Sequence, residues 1–407
     1  MTPTLADKAK QVVQTLRDKG FEAYWAGGCV RDLVMGIPPK DFDITTSATP
    51  DQVIQSFKKT IPIGAQFGVV QVRWMGESFE VATFRTESLY TDGRRPDSVQ
   101  FSTAVEDVKR RDFTINGLLY DPFEQKVIDY VGGVADIAAR IVRAIGDPEE
   151  RIAEDRLRML RAVRFASRLG FRMDDATFQA VRTHASAIVV VSAERVRDEL
   201  LRTLSEGGGH TGIRLLYETA LLRWVLPEIE TSAHRIDQLA AMLTHCRHHD
   251  PPLALALLLY PLNDSAIHKV CVRLRMSNHD GRRIRDMITL SKQIPDIAVL
   301  DTASHRRFLQ NDLIPDAITL HRIIATAAEA DLSAARRCEL DRQTLIDHNM
   351  LMPQRLLSGH DLMSWGFKPG PHFRIVLTAV EDAILRGEVK NPEEARAFAE
   401  NLLKCIP

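Results

Sequence analysis

The sequence predicts an α+β protein in which every strand falls within residues 1–147 and the rest of the chain is helical. Three observations carry this. Up to residue 147, short runs of β-branched and aromatic residues alternate with amphipathic helical runs. Gly146-Asp147-Pro148 then interrupts the pattern with turn-forming residues. Beyond that point almost every patterned segment repeats its apolar residues at steps of three and four, the helical spacing.

The whole chain sets limits first. Its 407 residues exceed one typical domain and suggest two to four. An apolar fraction of 45% supplies sizeable cores. No run of eighteen apolar residues occurs, and MTPTLADKAKQ is polar from the start, so neither a membrane span nor a signal peptide is expected. The five cysteines, Cys29, Cys246, Cys271, Cys338 and Cys405, lie far apart without a CxxC pair. That usage fits a reducing cytoplasm and argues against structural zinc. Formal charge is −1, which taken whole is no nucleic-acid signature. Its distribution is uneven. Arg151 to Arg172 holds seven arginines against Glu154 and Asp155, and Lys269 to Lys292 holds seven basic residues against Asp280 and Asp286. Such patches either follow a phosphate backbone or are solvated helix faces.

Residues 5–19 place Leu5, Ala9, Val12, Val13 and Leu16 at helical spacing. Ala23 to Ala26 reads as a strand broken by Gly27-Gly28, and a helical pattern over Val30 to Met35 stops at Gly36 and Pro38-Pro39. Lys40 to Thr45 reads as the next strand, with Asp41 and Asp43 on one face and Phe42 turned to the core. Two carboxylates crowded on one strand face repel unless a cation neutralises them, and a divalent metal does so. Magnesium often takes one or two protein carboxylates and leaves the rest to substrate phosphates. The glycines let backbone N–H groups approach a phosphate, and Arg31 faces the same region with Asp32 as its partner.

Thr49-Pro50 opens a helix to about Phe57. Val69 to Trp74 and Phe79 to Phe84 read as strands joined at Met75-Gly76-Glu77. Glu80 is either a third carboxylate beside the aspartates or a strand-edge surface glutamate. Glu87 to Asp97 is polar and turn-rich, a segment able to fold over substrate. Glu106 to Leu119 reads as a helix carrying RRDFTING, with Asp112 and Asn116 facing one cleft at i and i+4. Val127 to Tyr130 resembles a short strand, and Gly132-Gly133 turns the chain into a helix with Asp136.

Glu149 to Gly170 reads as a single helix. Arg158, Arg161, Arg164 and Arg168 form a ridge with Asp155 at its start, opposite Leu157, Leu160, Val163 and Phe165. The ridge is either a salt-bridged surface or a nucleotide reader. In the second case an aspartate acceptor beside an arginine donor meets a base edge while other arginines hold phosphates. Helices follow over Asp174 to Ala185, Ser192 to Leu204 with Ser192 as N-cap, Thr211 to Leu222 and Arg235 to Cys246. More follow over Pro251 to Tyr260, Lys269 to Leu274, Gly281 to Lys292, Leu313 to Leu332 and Arg336 to Asp347. Ser358 to Pro371 reads as a compact loop packed by Leu362, Trp365 and Phe367, before two last helices. His245, His248, His249 and Asp250 have no partner at metal-ligand spacing, and Pro251 interrupts them. GxGxxG, GxxxxGK[ST] and GxSxG are absent, which leaves dinucleotide, P-loop and nucleophile-elbow readings without support.

GGCVRDLVMG, KDFDITT, RRDFTING, IDYVGGVADI and EDRLRMLRAVRFASRLGF resemble the successive motifs of the class II tRNA nucleotidyltransferase and bacterial poly(A) polymerase family, over residues 20–230. The resemblance implies a small polymerase-β-like nucleotidyltransferase head with a mixed sheet over residues 1–147. A helical neck over 148–230, a helical body over 231–345 and a helical tail over 346–407 would follow. It makes Asp41 and Asp43 the catalytic carboxylates that bind Mg²⁺, with Glu80 as a candidate third. Gly27, Gly28 and Arg31 would attend the triphosphate, and Arg111, Asp112 and Asn116 are similar to the family's second nucleotide-binding motif. Asp155 and Arg158 match the neck residues that pair with the incoming base, with Arg161 in support. Arg164, Arg168, Arg195, Arg282 and Arg283 are candidate contacts to the RNA backbone.

Members of the family add CCA, CC only, A only or poly(A). Gln66 and Gly68 in GAQFGVV stand where poly(A) polymerases carry a basic RRFR strand. The Glu87 to Asp97 segment resembles the flexible loop that CC-only enzymes lack, and LLSGHDLMSWGFKPGPHFRIVL resembles the tails of the tRNA enzymes. Tyr260-Pro261 in LLLYPLN cannot replace the His-Asp pair of relatives with a phosphohydrolase region. The expectation is transfer of CMP and AMP from CTP and ATP to the 3′ acceptor end of tRNA, in the cytoplasm, without a membrane or an obligate protein partner. A-only or poly(A) addition is the enzymatic alternative. A non-catalytic helical RNA-binding protein is the alternative of another class, and it leaves Asp41 and Asp43 without a purpose.

Overall fold

A computed structural model describes residues 3–64, 68–87, 99–229, 231–246 and 250–405. Gln66, residues 88–97 of the polar segment, His248 and His249 lie outside the described residues. The chain opens with α1 (Leu5–Arg17), β1 (Ala23–Ala26), α2 (Gly28–Val34), β2 (Asp43–Thr46) and α3 (Pro50–Ser56). Next come β3 (Thr60–Gly64), β4 (Val69–Trp74), β5 (Glu77–Thr83), β6 (Arg85–Glu87), β7 (Val99–Phe101) and α4 (Ala104–Lys109). A 3₁₀ turn at Thr114–Asn116 leads into β8 (Leu118–Asp121), β9 (Lys126–Asp129), α5 (Gly133–Ala139) and β10 (Ile141–Val142).

Seven of these strands form one sheet in the order β3-β4-β5-β2-β1-β8-β9. Its neighbours are antiparallel except β2 and β5, which run parallel, so the sheet is mixed as expected. Helix α1 starts where Thr4 and Asp7 cap each other's backbone N–H groups, a reciprocal box that fixes the helix start. Its stripe of Ala9, Val12, Val13 and Leu16 is fully buried, and the helix lies against β1, β2 and β5. Burying each such valine or leucine contributes roughly 1.5–3 kcal/mol.

Several sequence expectations change. Strand β2 begins at Asp43, not Lys40, because its partner β1 ends with Ala26 opposite Asp43 and then turns away at Gly27. Asp41 and Phe42 therefore precede the strand, with the Phe42 ring buried on Trp25 at 4.6 Å. RRDFTING is not helical. After α4 its backbone bonds to residues 143–145: Thr114 N–H donates to the Arg143 carbonyl (2.9 Å) and Ile145 N–H to the Asp112 carbonyl (3.2 Å). Leu118 to Asp121 is then a sheet strand between β1 and β9. Short apolar runs do not separate helix from strand by period alone.

The segment 149–170 is two helices, α6 (Pro148–Glu154) and α7 (Arg158–Leu169). Asp155 is extended between them, its carboxylate accepting Leu157 N–H (3.0 Å) and its carbonyl accepting Arg158 N–H (3.0 Å). Asp side chains compete for backbone donors in this way and break a helix. Beyond residue 147 a strand interrupts the expected all-helical neck, β11 (Arg172–Met173), which pairs parallel with β10; α8 (Asp175–His184), α9 (Ala193–Ser205), α10 (Gly209–Glu218), α11 (Leu222–Val225) and α12 (Ala233–Thr244) follow. Ser192 occupies the N-cap position of α9 without a side-chain bond.

The chain divides into two compact units, residues 1–251 with 272–276, and residues 252–271 with 277–407. The second is helical among its described residues and contains two separate apolar clusters. One is built on Ile294, Leu309, Ile314 and Cys338, the other on Leu362, Val376, Val380 and Ala395. The expected loop at 358–371 contains a helix over Gly359–Ser364, started by Ser358 and Asp361 capping each other. No helix among the described residues is long and apolar enough to cross a membrane. Cys29, Cys246, Cys271 and Cys338 are free and buried.

Candidate active site

The first unit contains a cavity of about 1100 Å³, open at the end of β1 where the chain turns. Gly27 makes that turn at φ +75°, a left-handed conformation that favours glycine. A Cβ there would stand 3.1 Å from Nη1 of Arg111, so the missing side chain lets a guanidinium approach the turn. Arg31, one turn into α2, is buried. It donates to Asp32 (2.7 and 2.9 Å) and to the Asn116 side-chain carbonyl (2.8 Å).

Both aspartates line the cavity. Ile44 and Val81 are partners across the β2–β5 pair, so Asp43 and Glu80, each one residue earlier, stand side by side. Asp43 reaches the open cavity, but the walls withdraw it from bulk water. That withdrawal first, and then the charges of Asp41 and Glu80, push its carboxyl up to about 6, with Arg111 offsetting part of the rise. A cation would remove this excess of negative charge. Among the described residues no three His, Cys, Asp or Glu side chains form a group able to hold a metal alone. Glu80 thus adds charge without completing a three-ligand set. Two carboxylates with room for phosphate oxygens fit a hard divalent ion of the magnesium kind.

Arginines from three places close the other side. Helix α4, capped by Thr103 and Glu106, presents buried Asp107, which holds Arg110 (2.7 Å) and Arg111 (3.0 Å). Burial alone would raise the Asp107 carboxyl, but Arg111 and Arg110 outweigh it and keep it below the ordinary range. Asp112 takes the Asn116 amide (3.2 Å) and the Arg161 guanidinium (2.6 Å). Its carboxyl is held low despite burial, by Arg161 above all. Glu199 of α9 approaches Arg161 (3.6 Å) and binds Arg164 (2.6 Å), and Glu206 approaches Arg164 (3.6 Å) and Arg168 (3.4 Å). A continuous polar chain therefore runs from Arg31 through Asn116, Asp112, Arg161 and Glu199 to Arg164.

Asp155 accepts from Arg195 (2.7 Å). Arg158 is buried, donating to Glu154 (2.5 Å) and to the carbonyls of Arg151 (2.9 Å) and Arg110 (3.2 Å). Gly27, Gly28, Arg31, Asp41, Asp43, Glu80, Arg111, Asp112, Asn116, Asp155, Arg158 and Arg161 all line this one cavity. So do Arg164, Arg168 and Arg195, expected as backbone contacts. Arg164 is only 4% exposed and spent on Glu199, so it is no outward-facing phosphate contact. Arg282 and Arg283 belong to the second unit, where Arg282 is exposed and Arg283 pairs with Asp316 (2.7 Å).

Sequence reasoning missed Asp107, Glu199 and Phe165. Asp107 was readable, three and four residues before Arg110 and Arg111. Glu199 was not, being 35 residues from Arg164. Phe165 was expected opposite the arginines, yet its ring lies under Arg31, Arg161 and Arg164 and lines the cavity.

Residues 23–143 match the family described as the Poly A polymerase head domain, and residues 170–232 match the RNA and SrmB-binding site of polymerase A. Residues 247–399 match tRNA nucleotidyltransferase domain 2. A CCA-adding enzyme of Geobacillus sp. (strain WCH70) is 36% identical over 394 residues, covering 95% of this chain and 94% of the relative. One from Streptococcus thermophilus is 34% identical over 396 residues, covering 97% and 96%. Among solved structures, the Bacillus stearothermophilus CCA-adding enzyme in complex with CTP is similar at a TM-score of 0.82 and 30% identity, over 99% of both chains. The Thermotoga maritima CCA-adding enzyme complexed with tRNA shares the fold at a TM-score of 0.65 and 18% identity, over 97% of this chain and 94% of that one.

Proposed function

The chain belongs to the CCA-adding enzyme family, and on that premise we propose that its cavity transfers CMP and AMP from CTP and ATP to the 3′ end of tRNA, releasing pyrophosphate. The observation that carries the assignment of site residues is the convergence in one cavity of two carboxylates, the Gly27 turn and arginines from both the sheet region and α7. Similarity over nearly the whole of both chains to CCA-adding enzymes favours CCA addition over A-only or poly(A) synthesis. The carboxylate pair argues against a purely RNA-binding role.

Asp41 and Asp43 would hold Mg²⁺, which when bound lowers the pKa of the attacking 3′-hydroxyl and neutralises charge gathering at the α-phosphate. The chain's own residues do the remaining work. Arg111, beside the Gly27-Gly28 turn, receives the triphosphate's negative charge, while Arg31 is kept in one orientation by Asp32 and Asn116. Asp155 offers acceptors and Arg158 donors to the base edge. Arg195 holds the Asp155 carboxylate and Glu154 holds the Arg158 guanidinium, which fixes both groups at the cavity. A base of the wrong pattern leaves buried polar groups unpaired and is rejected.

We assign a head over residues 1–147, a neck over 148–230, a body over 231–345 and a tail over 346–407. The two separate apolar clusters of the second unit support the last boundary, whereas α12 packs against α10 and stays with the first unit, so the body's own packing begins after α12. Substrates of this kind, tRNA with CTP and ATP, support a cytoplasmic location. The test is incorporation of labelled CTP and ATP into tRNA transcripts ending before CCA, after C and after CC. Addition to all three is expected. Activity confined to the CC transcript would mean A-only addition, and long A tails on unrelated RNA would mean poly(A) synthesis.

A further inference from the structure

We propose that Phe165 is a positioning residue, whose ring holds the guanidinium groups of Arg31, Arg161 and Arg164 together as one cationic cluster on the nucleotide cavity. The proposal rests on the nucleotide-site reading and adds to it a residue that touches neither phosphate nor base. Phe165 is 5% exposed, yet it lines the cavity. Arg164 lies over its ring at 4.2 Å, Arg161 at 5.4 Å and Arg31 at 5.6 Å. Two of these arginines share α7 with Phe165, and the third comes from α2. Three like charges gathered on one centre repel one another. Asp32, Asp112, Glu199 and Glu206 each engage one or two of them, but among the described residues no single carboxylate touches all three.

The ring is the shared contact. An aromatic face carries partial negative charge and attracts cations most strongly where water is excluded. Phe113 sets the ring's orientation, meeting it edge to face at 5.8 Å and 74°. An aliphatic side chain would fill the same volume without the negative face. The cluster would then loosen, and with it the alignment of Arg31 from α2 with Arg161 and Arg164 from α7. The ring aligns Arg31, which attends the triphosphate that CTP and ATP share, so both nucleotides should suffer alike.

The experiment measures CTP and ATP affinity by calorimetry, without RNA, on the full chain and on Phe165→Leu, Phe165→Met and Phe165→Tyr. Leucine and methionine should weaken both nucleotides by roughly tenfold, while tyrosine, which keeps the ring, stays within about threefold. A leucine or methionine variant with unchanged affinity, or a tyrosine variant that loses as much as they do, overturns the proposal. So does a loss confined to one nucleotide. If the leucine variant fails to fold, the methionine and tyrosine pair decides in the same way. Failure of the unsubstituted chain to bind CTP would instead sink the nucleotide-site reading, and the proposal with it.

Discussion

Raising the pH from about 5 to about 7 should strengthen divalent-cation binding at Asp41 and Asp43 by roughly tenfold, because Asp43 ionises across that interval. Its carboxyl is pushed up to about 6, by withdrawal from bulk water and then by Asp41 and Glu80. A group of that pKa is ionised in roughly one molecule in eleven at the lower pH and ten in eleven at the higher, and a cation takes only the ionised form. An aspartate at the ordinary value of 3.8 would already be ionised in over nine-tenths of molecules at the lower pH, giving almost no change. No histidine lines the cavity among the described residues, so histidine titration does not mimic the effect. The assay is a Mn²⁺ titration of the full chain followed by electron paramagnetic resonance, at constant ionic strength because screening alters surface terms. Glu80→Gln removes one of the charges that raise Asp43 and should flatten the profile. A binding ratio near one between the two pH values in the unsubstituted chain would refute the reasoning.

Asp112→Ala strips Arg161 of its closest carboxylate and leaves it the Phe165 ring and Glu199 at 3.6 Å, a loss of about 2–3 kcal/mol, reduced from the fully buried case because Arg161 is one-third exposed. Urea unfolding followed by circular dichroism measures it. Because the Asp112 carboxyl is held low, its contribution is present above the ordinary carboxylate range and fades as pH falls through the folded value. The variant and parent should therefore converge in acid. Gly208→Ala should cost about 3 kcal/mol or more, since its Cβ would fall 2.0 Å from the Ser167 carbonyl at φ +74°, whereas Gly366→Ala, with open space at φ +91°, should cost only about 1 kcal/mol. Thermal midpoints of the two variants compare them directly. Asp155→Ala and Arg158→Ala should raise misincorporation in a competition assay with all four nucleotides, while leaving Mn²⁺ affinity unchanged.

What was legible in the sequence is what local spacing encodes. Asp41 and Asp43 flank Phe42, and that spacing pointed to one site for both carboxylates, although Asp41 precedes the strand and alternation holds only from Asp43. The helices over Leu5–Arg17 and Pro50–Ser56 were readable for the same reason, from apolar steps and from Pro50 at the helix start. The misreadings arose where long-range bonds decide. RRDFTING has apolar residues that suit a helix, but its backbone donors go to residues 143–145. Strand β3 was overlooked because Thr60 to Gly64 contains Pro62, tolerated there since β3 is the sheet's edge. The arginine steps of α7 were visible, but the acids that hold them come from Asp112, Glu199 and Glu206, on other elements. Phe165 was placed opposite the ridge because an apolar residue on an amphipathic helix is read as core. Only the arrival of Arg31 from α2 shows that its ring serves the arginines.

On this reading one cavity performs both CMP and AMP addition. It is tested most directly with Asp43→Asn, by measuring CMP transfer to a transcript ending before CCA and AMP transfer to one ending in CC, each against the unsubstituted chain. A shared site predicts that both transfers fall to background together while tRNA still binds in gel retardation. Survival of either transfer at the parent rate would contradict it.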